Sequence, residues 1–564
     1  MSPPPGVNRI AAMKIPVRPW LVLPQRRRQS GPASASRPHR LSPGAAQLVP
    51  GLIGLLFWVL GTARGLPESP PPPGTLAELQ QRLTEHVSQP RFVAGSFGVK
   101  IVSLDTGRTL FEHEATKLFS PASNSKLYAM ALALDRLGGD YRLKTSLYAA
   151  ARPDQRGTLR GDLVVYGRGD PTFNVRLHGD IFKALQPLVA ALTNAGVKRI
   201  RGDLVGDESF IQGPPYGSGW AWDDLQYYYG AEISALTIND NTLQASVRPG
   251  ASNGAPCRLK LSPATKYLIL SNRTQTVATG RRRLNFFRPL EQNVVYVTGQ
   301  MPLDGKEFIE DVTLSQPAGL FVSWFKEALV RNGVKVSGQT RTVNWLDRQL
   351  QPLDLNQLVE LGTVASPALR DLVREVQKPS QNLYTDLLLA HVGELERQVL
   401  DRSAAQRALP ETGAPLTSED LGLRALGEFL ATAGVPRSDV QFEEGSGLSR
   451  NNLTTPNATI ALLQFMSRHA EADAYLNALP IGGVDGTLRQ RLKDPPAAGN
   501  VRAKTGTLRW ANSLSGHVKT AAGERLIFSL MLNRYVAPDP DHSGRAELDR
   551  VAELLAGFTG RSDQ

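Results

Sequence analysis

Ser123-Asn124-Ser125-Lys126 opens the apolar stretch PASNSKLYAMALALDRLGG at residues 121–139. A serine hydroxyl is a poor nucleophile until a base removes its proton. A lysine serves as that base only when neutral, which requires burial or a neighbouring cation to lower its pKa. Ser123 and Lys126 are three positions apart, so a helix places them on one face. The N–H groups at that helix start can polarise a carbonyl. Taken alone, the stretch reads more readily as polar residues in a first helical turn. Ser323-Trp324-Phe325-Lys326 has the same spacing, but it sits among Leu320, Phe321, Trp324 and Leu329 in an amphipathic pattern and reads as structural.

Two further motifs follow in order. Ser380-Gln381-Asn382 comes after Pro379 and before an apolar helix, and Lys504-Thr505-Gly506-Thr507 precedes strand-like residues. A hydroxyl can relay a proton, an amide can hold a substrate carbonyl, and a cation can attract a terminal carboxylate. Ser-x-x-Lys, Ser-x-Asn and Lys-Thr-Gly in this order are the signature of penicillin-binding proteins and class A β-lactamases. Ser449-Arg450-Asn451 is a second match to the middle motif.

From about residue 76 to 560 the chain resembles the low-molecular-mass penicillin-binding proteins of the D-alanyl-D-alanine carboxypeptidase/endopeptidase type, peptidase family S13. About 257 positions separate Ser123 from Ser380, and the family resembled carries large strand-rich insertions there. The stretches Gly167-Arg168-Gly169-Asp170-Pro171-Thr172, Glu444-Gly445-Ser446-Gly447-Leu448-Ser449-Arg450 and Gly483-Val484-Asp485-Gly486-Thr487-Leu488 also fit. Gln381 and Glu444 depart from the pattern, Glu444 standing where Asp is expected.

The resemblance implies an exported serine peptidase that cleaves D-Ala-D-Ala in peptidoglycan stem peptides, and cross-links if the groove admits them. Ser123 would be the nucleophile, Lys126 its base and Ser380 the proton relay. Asn382, Lys504, Thr505, Gly506 and Thr507 would bind substrate, with the N–H groups of Ser123 and Thr507 as oxyanion hole. β-Lactams would be inhibitors, and no metal or organic cofactor is implied. The alternatives are a β-lactamase or esterase with the same trio, and a non-catalytic wall-binding scaffold.

Around these motifs, GTLAELQQRLTEHVSQ (75–90) has helical periodicity, and SFGVKIVSLDTGRTLFEHEA alternates as a hairpin about Asp105-Thr106-Gly107. From about 145 to 315 short strands dominate, with one helix at about 180–196. Gly161-Asp162-Leu163-Val164 recurs as Gly202-Asp203-Leu204-Val205, which marks two similar turn-strand units. Helices return after 315, and the chain ends in three strands and a helix at Ala546–Phe558. The expected fold is α+β: a transpeptidase-like domain, an antiparallel sheet flanked by helices, built from 75–145 and 345–564. A strand-rich insertion fills 146–344.

Composition narrows the setting. Of the 564 residues, the first 63 contain eight Lys/Arg and no Asp or Glu; removing those eight from the net charge of +12 leaves +4. No basic run interleaved with aromatics remains, which argues against nucleic acid. The apolar run from Leu48, followed by Gly61 and Ala63, reads as a secretory signal or an uncleaved anchor, with Met13 as an alternative start. That leaves room for peripheral membrane contact and places the protein in the periplasm or cell envelope. Residues 64–74 form a Pro-rich linker. The single cysteine, Cys257, reads as a packed thiol, and no metal-ligand spacing is present. Oligomeric state is not legible. Trp220, Trp222 and Tyr227–Tyr229 in a Gly-rich loop read either as a site wall or as cover for a seam between domains. Asp170 reads as structural, and Arg281–Arg283 as a solvated face.

Overall fold

The computed structural model describes residues 71–402 and 416–563. The expected leader lies outside them. Among the described residues no helix is long and apolar enough to cross a membrane.

The fold is α+β. A five-stranded antiparallel sheet runs in the order Arg502–Leu508, Ala511–Lys519, Arg525–Asn533, Ser96–Ser103, Thr109–His113. The expected hairpin supplies its last two strands, and the three C-terminal strands the rest. The halves join by antiparallel pairing of Val99 with Leu530 and Ile101 with Phe528. Leu76–Val87 begins at a capping box in which Thr75 and Glu78 satisfy each other's backbone N–H groups. Its Leu79 and Leu83, with Leu548, Val551 and Leu555 of Gly544–Gly557, share a core with Ile101, Leu514 and Phe528 of the sheet.

A second core surrounds the Ser125–Leu137 helix, whose residues 125–134 are all buried. A helix apolar on every side is stable only when enclosed. Leu369–Gln377, Asn382–Arg402, Ser418–Thr432 and Pro456–Met466 enclose it.

Residues 144–365 carry a second five-stranded sheet, mixed in direction and ordered Thr340–Val343, Leu204–Asp207, Leu163–Tyr166, Lys144–Ala149, Val359–Ala365. The repeated Gly-Asp-Leu-Val units lie side by side here, pairing in parallel with Leu163 opposite Leu204 and Val164 opposite Val205. Ile181–Asn194 and Pro317–Arg331 pack on this sheet through Leu185, Leu188, Phe321 and Phe325. Three three-stranded sheets complete the region. Val359–Ala365 pairs with Lys144–Ala149, so this sheet reaches past residue 344. Cys257 is buried and free, and Asp170 accepts from the Thr172 backbone and hydroxyl in a turn. Arg281, Arg282 and Arg283 are exposed, with Arg282 over the Phe308 ring.

Candidate active site

Ser123 lies in a short 3₁₀ turn, Ala122–Asn124, that leads into the Ser125–Leu137 helix. Asn124 makes no helix cap. Its Nδ2 instead donates to Ser515 Oγ at 2.8 Å, tying the turn to the main sheet. From the helix, Lys126 projects back to Ser123, with Nζ 2.9 Å from Ser123 Oγ. Nζ also lies 2.6 Å from Asn382 Oδ1 and 2.5 Å from the Ser446 carbonyl. The latter two can only accept. A neutral amine has two N–H bonds and one lone pair. Two acceptors take the N–H bonds, and the lone pair is left for the Ser123 hydroxyl proton. Lys126 is fully buried, and burial lowers its pKa to about 8 against the opposing charges of Asp386 and Glu444.

Asn382 opens the Asn382–Arg402 helix, and its Nδ2 donates to the Tyr229 carbonyl at 2.8 Å. Ser380, just before, has a left-handed backbone at φ 66°, as does Ala122 before Ser123 at φ 48°. Such residues cost on the order of 1–3 kcal/mol each and persist where surrounding contacts fix them. Lys504 Nζ donates to Ser380 Oγ and to the Thr505 carbonyl, both at 2.8 Å. Burial, and then the charge of Lys126, hold its pKa well below that of a free lysine. Thr505 Oγ1 is 2.7 Å from Thr487 Oγ1. Thr507 is exposed on the same strand. Gly506 is required by space: a Cβ there would lie 2.4 Å from the Pro121 carbonyl oxygen and 3.1 Å from Ser123 N.

All eight residues singled out in the sequence therefore converge. Ser323 is exposed, and Lys326 donates to the Gly338 carbonyl. In the second Ser-x-Asn match, Ser449 and Asn451 both bond Glu443 rather than Lys126.

Several contributors carried no clear signal in the sequence. The Ser446 contact is a backbone carbonyl, which residue identity does not reveal. Glu444, fully buried, organises the loop that presents it. It accepts from Ser446 N at 2.8 Å, Gly447 N at 2.7 Å and Asn452 Nδ2 at 2.8 Å. Asp386, one turn along from Asn382, accepts from Gly445 N at 3.2 Å. Burial raises its pKa well above the carboxylate range, and Glu444 adds to the effect. Lys378 pairs with Asp485 at 2.7 Å, and its carbonyl accepts from Thr487 N at 3.1 Å, which fastens the Gly483–Leu488 loop to the segment just before Ser380.

A cleft of about 690 Å³ opens over Ser123. Tyr228, Tyr229, Asp224, Leu448 and Arg450 line it, together with Thr487, Arg491, Thr505, Thr507, Arg509 and Arg545. The aromatic loop thus divides. Tyr228 and Tyr229 form wall, Trp220 reaches Glu444 at 3.4 Å, and Trp222 is exposed.

Gly447 sits at φ 81°, and a Cβ there would lie 1.9 Å from the Ala122 carbonyl oxygen. Gly447→Ala must displace the turn that holds Ser123. Acylation is expected to slow by about 100-fold or more, as for loss of one oxyanion donor. Stopped-flow acylation with a chromogenic β-lactam, beside circular dichroism to establish folding, checks this.

A family model, the D-Ala-D-Ala carboxypeptidase 3 (S13) family, matches residues 79–555. The D-alanyl-D-alanine carboxypeptidase of Actinomadura sp. (strain R39) is 32% identical over 497 residues, 86% of each chain. The crystal structure of penicillin binding protein 4 (dacB) from Haemophilus influenzae is similar to this one with a TM-score of 0.69. It is 24% identical, and the match covers 85% of this chain and 99% of that one. A second structure of that protein, complexed with a β-lactam, gives a TM-score of 0.64 at 23% identity over 84% and 98% of the chains. The chain belongs to the D-Ala-D-Ala carboxypeptidase 3 (S13) family and is a serine-type carboxypeptidase.

Proposed function

We propose that this protein is an exported DD-peptidase of the cell envelope that cleaves the D-Ala-D-Ala bond of peptidoglycan stem peptides through an acyl-enzyme on Ser123. The observation that carries this reading is the contact set of Lys126: two obligate acceptors and the Ser123 hydroxyl around one buried amine. Ser123 Oγ attacks the carbonyl carbon between the two D-alanines as its proton passes to Lys126 Nζ. The N–H groups of Ser123 and Thr507 stabilise the oxyanion. The C–N bond then breaks. Ser380, bonded to Lys504, relays a proton to the leaving amine. Asn382 uses one N–H on Tyr229 and has a second for a substrate carbonyl. Lys504, Thr505 and Gly506 receive the terminal carboxylate, whose charge draws Lys504 toward its protonated form. Water finally attacks the ester and releases the acyl peptide. The region built on the Lys144–Ala149 to Val359–Ala365 sheet acts as an inserted domain, wider than 146–344, that supplies the Tyr228–Tyr229 wall. Cross-linked peptides are further substrates, and β-lactams, bound by a Haemophilus influenzae relative, are inhibitors.

The test is intact-mass analysis after incubation with labelled penicillin, followed by peptide mapping. A lasting adduct on Ser123 is expected. An adduct on Ser323, or none on folded protein, overturns the mechanism in favour of a scaffold. Rapid turnover without a lasting adduct makes the protein a β-lactamase.

A further inference from the structure

A second cavity, of about 430 Å³, opens at the opposite end of the main sheet from Thr507, between the sheet and the Ala472–Asn477 helix. Its lining is largely apolar and includes Leu104, Met466, Tyr475, Leu476 and Leu526. Arg502, Lys519 and Arg525 also line it, and Asp473 is the only acid among the lining residues. Arg525 is paired with Asp105 at 2.7 Å. Among the described residues Arg502 and Lys519 have no carboxylate within ion-pair distance, and Arg502 Nη1 reaches only Asn477 Oδ1, at 3.5 Å. His517 stands opposite Arg502 in the sheet and lines the cavity. Its side chain has no hydrogen-bond partner among the described residues. Burial lowers its pKa to about 4, and the Arg502 charge adds to this, so the ring is neutral at physiological pH. The cavity thus offers an apolar interior with two uncompensated cations beside it, which fits an anionic amphiphile.

The source of that amphiphile follows from where the chain enters the fold. The Pro73 carbonyl accepts from Thr559 N at 3.1 Å, and the adjacent Phe558 carbonyl accepts from Ala522 N at 3.2 Å. Ala522 lies in the turn between the strands that end at Lys519 and begin at Arg525. The point of entry is therefore tied to the turn that carries two of the three cations. The apolar run from Leu48, expected as a leader or an anchor, precedes it in sequence. Residues 64–70 come between, a stretch that covers at most about 25 Å when fully extended. A chain held in a bilayer by that run would keep this end of the sheet within reach of the lipid surface.

We infer that this cavity docks an anionic membrane phospholipid, its acyl chain among Leu104, Met466, Tyr475 and Leu476 and its acidic headgroup on Arg502 and Lys519. The inference does not use the acyl-enzyme reading, and none of the residues proposed for catalysis lines the cavity. Apolar burial favours any acyl chain and does not select charge. The selection comes from the two cations. Each basic side chain at an anionic lipid surface strengthens binding by about fivefold, so the pair is worth about 25-fold. Raising ionic strength screens this part.

The experiment irradiates the full chain with phosphatidylcholine vesicles containing a trace of phosphatidylglycerol that carries a diazirine on its acyl chain, and maps the labelled peptides. Labels are expected in the segments Met466–Leu476 and His517–Leu526. A phosphatidylcholine analogue with the same diazirine should label them about 25-fold less at low salt. The double variant Arg502→Gln, Lys519→Gln should lower labelling by phosphatidylglycerol to that of the neutral analogue. Arg502→Lys, Lys519→Arg should retain it, which separates charge from folding. Equal labelling of these segments by the two analogues in the wild type, or labels confined to other peptides, overturns the inference. Labelling by a diazirine fatty acid but not by the phospholipid overturns the membrane as the source.

Discussion

Ser123→Ala lowers peptidase turnover by at least about 10⁴-fold and abolishes the penicillin adduct, while the unfolding midpoint stays within a few degrees of wild type. The size follows from the role. Without Oγ no acyl-enzyme forms, and only binding and oxyanion donation remain, which sustain a small residual rate over water. The structural cost is small because the hydroxyl is half-buried and bonds Lys126 Nζ, which keeps two other acceptors. Mass spectrometry of the adduct, steady-state release of D-alanine and a thermal melt measure the three quantities. Retention of the adduct in this variant would place the nucleophile elsewhere.

Lys126→Ala is expected to be nearly as damaging, at about 10³–10⁴-fold, because general-base catalysis and the positioning of Ser123 are lost together. The wild-type pH profile gives a second readout. Burial lowers the Lys126 pKa to about 8. Below that pH the amine is mostly protonated and has no lone pair for the hydroxyl proton. Acylation should therefore rise about tenfold per pH unit from pH 6, bend near pH 8 and level above it. The linkage to stability has the matching sign. A lysine whose folded pKa is depressed binds its proton more weakly folded than unfolded, so stability from this site rises with pH between about 8 and the ordinary lysine value and is reduced below that window. A flat acylation profile between pH 6 and 9 would exclude Lys126 as the base.

Much of this site is legible in the sequence because its residues are local. Ser123 and Lys126 are brought together by one helical turn, and Ser380 and Asn382 by one helix start. Gly506 is forced by the close approach of its strand to Pro121 and Ser123. The parts that were not legible depend on distant chain segments. Nothing in Ser446 as a residue type announces that its carbonyl holds Lys126. The role of Glu444 is clear only once the loop folds over it: the longer acid spans several backbone N–H groups and does not disturb the loop. Whether Tyr228 and Tyr229 face the cleft was open, since an aromatic loop serves equally as wall or seam. Val359–Ala365 reads as part of the second catalytic segment by position, yet its pairing partner is Lys144–Ala149, a register that alternation alone does not specify.

The main sheet joins strands from the two ends of the chain, Val99 opposite Leu530. Contacts of such separation form late, because the intervening segment must be gathered before they give any return in free energy. During synthesis Lys126 emerges long before Asn382, Ser446 and Lys504, and its amine has none of the burial that makes it a base. In the proposed mechanism Ser123 therefore gains its base only when these last strands have docked, and a chain cut short before residue 533 is expected to form no penicillin adduct.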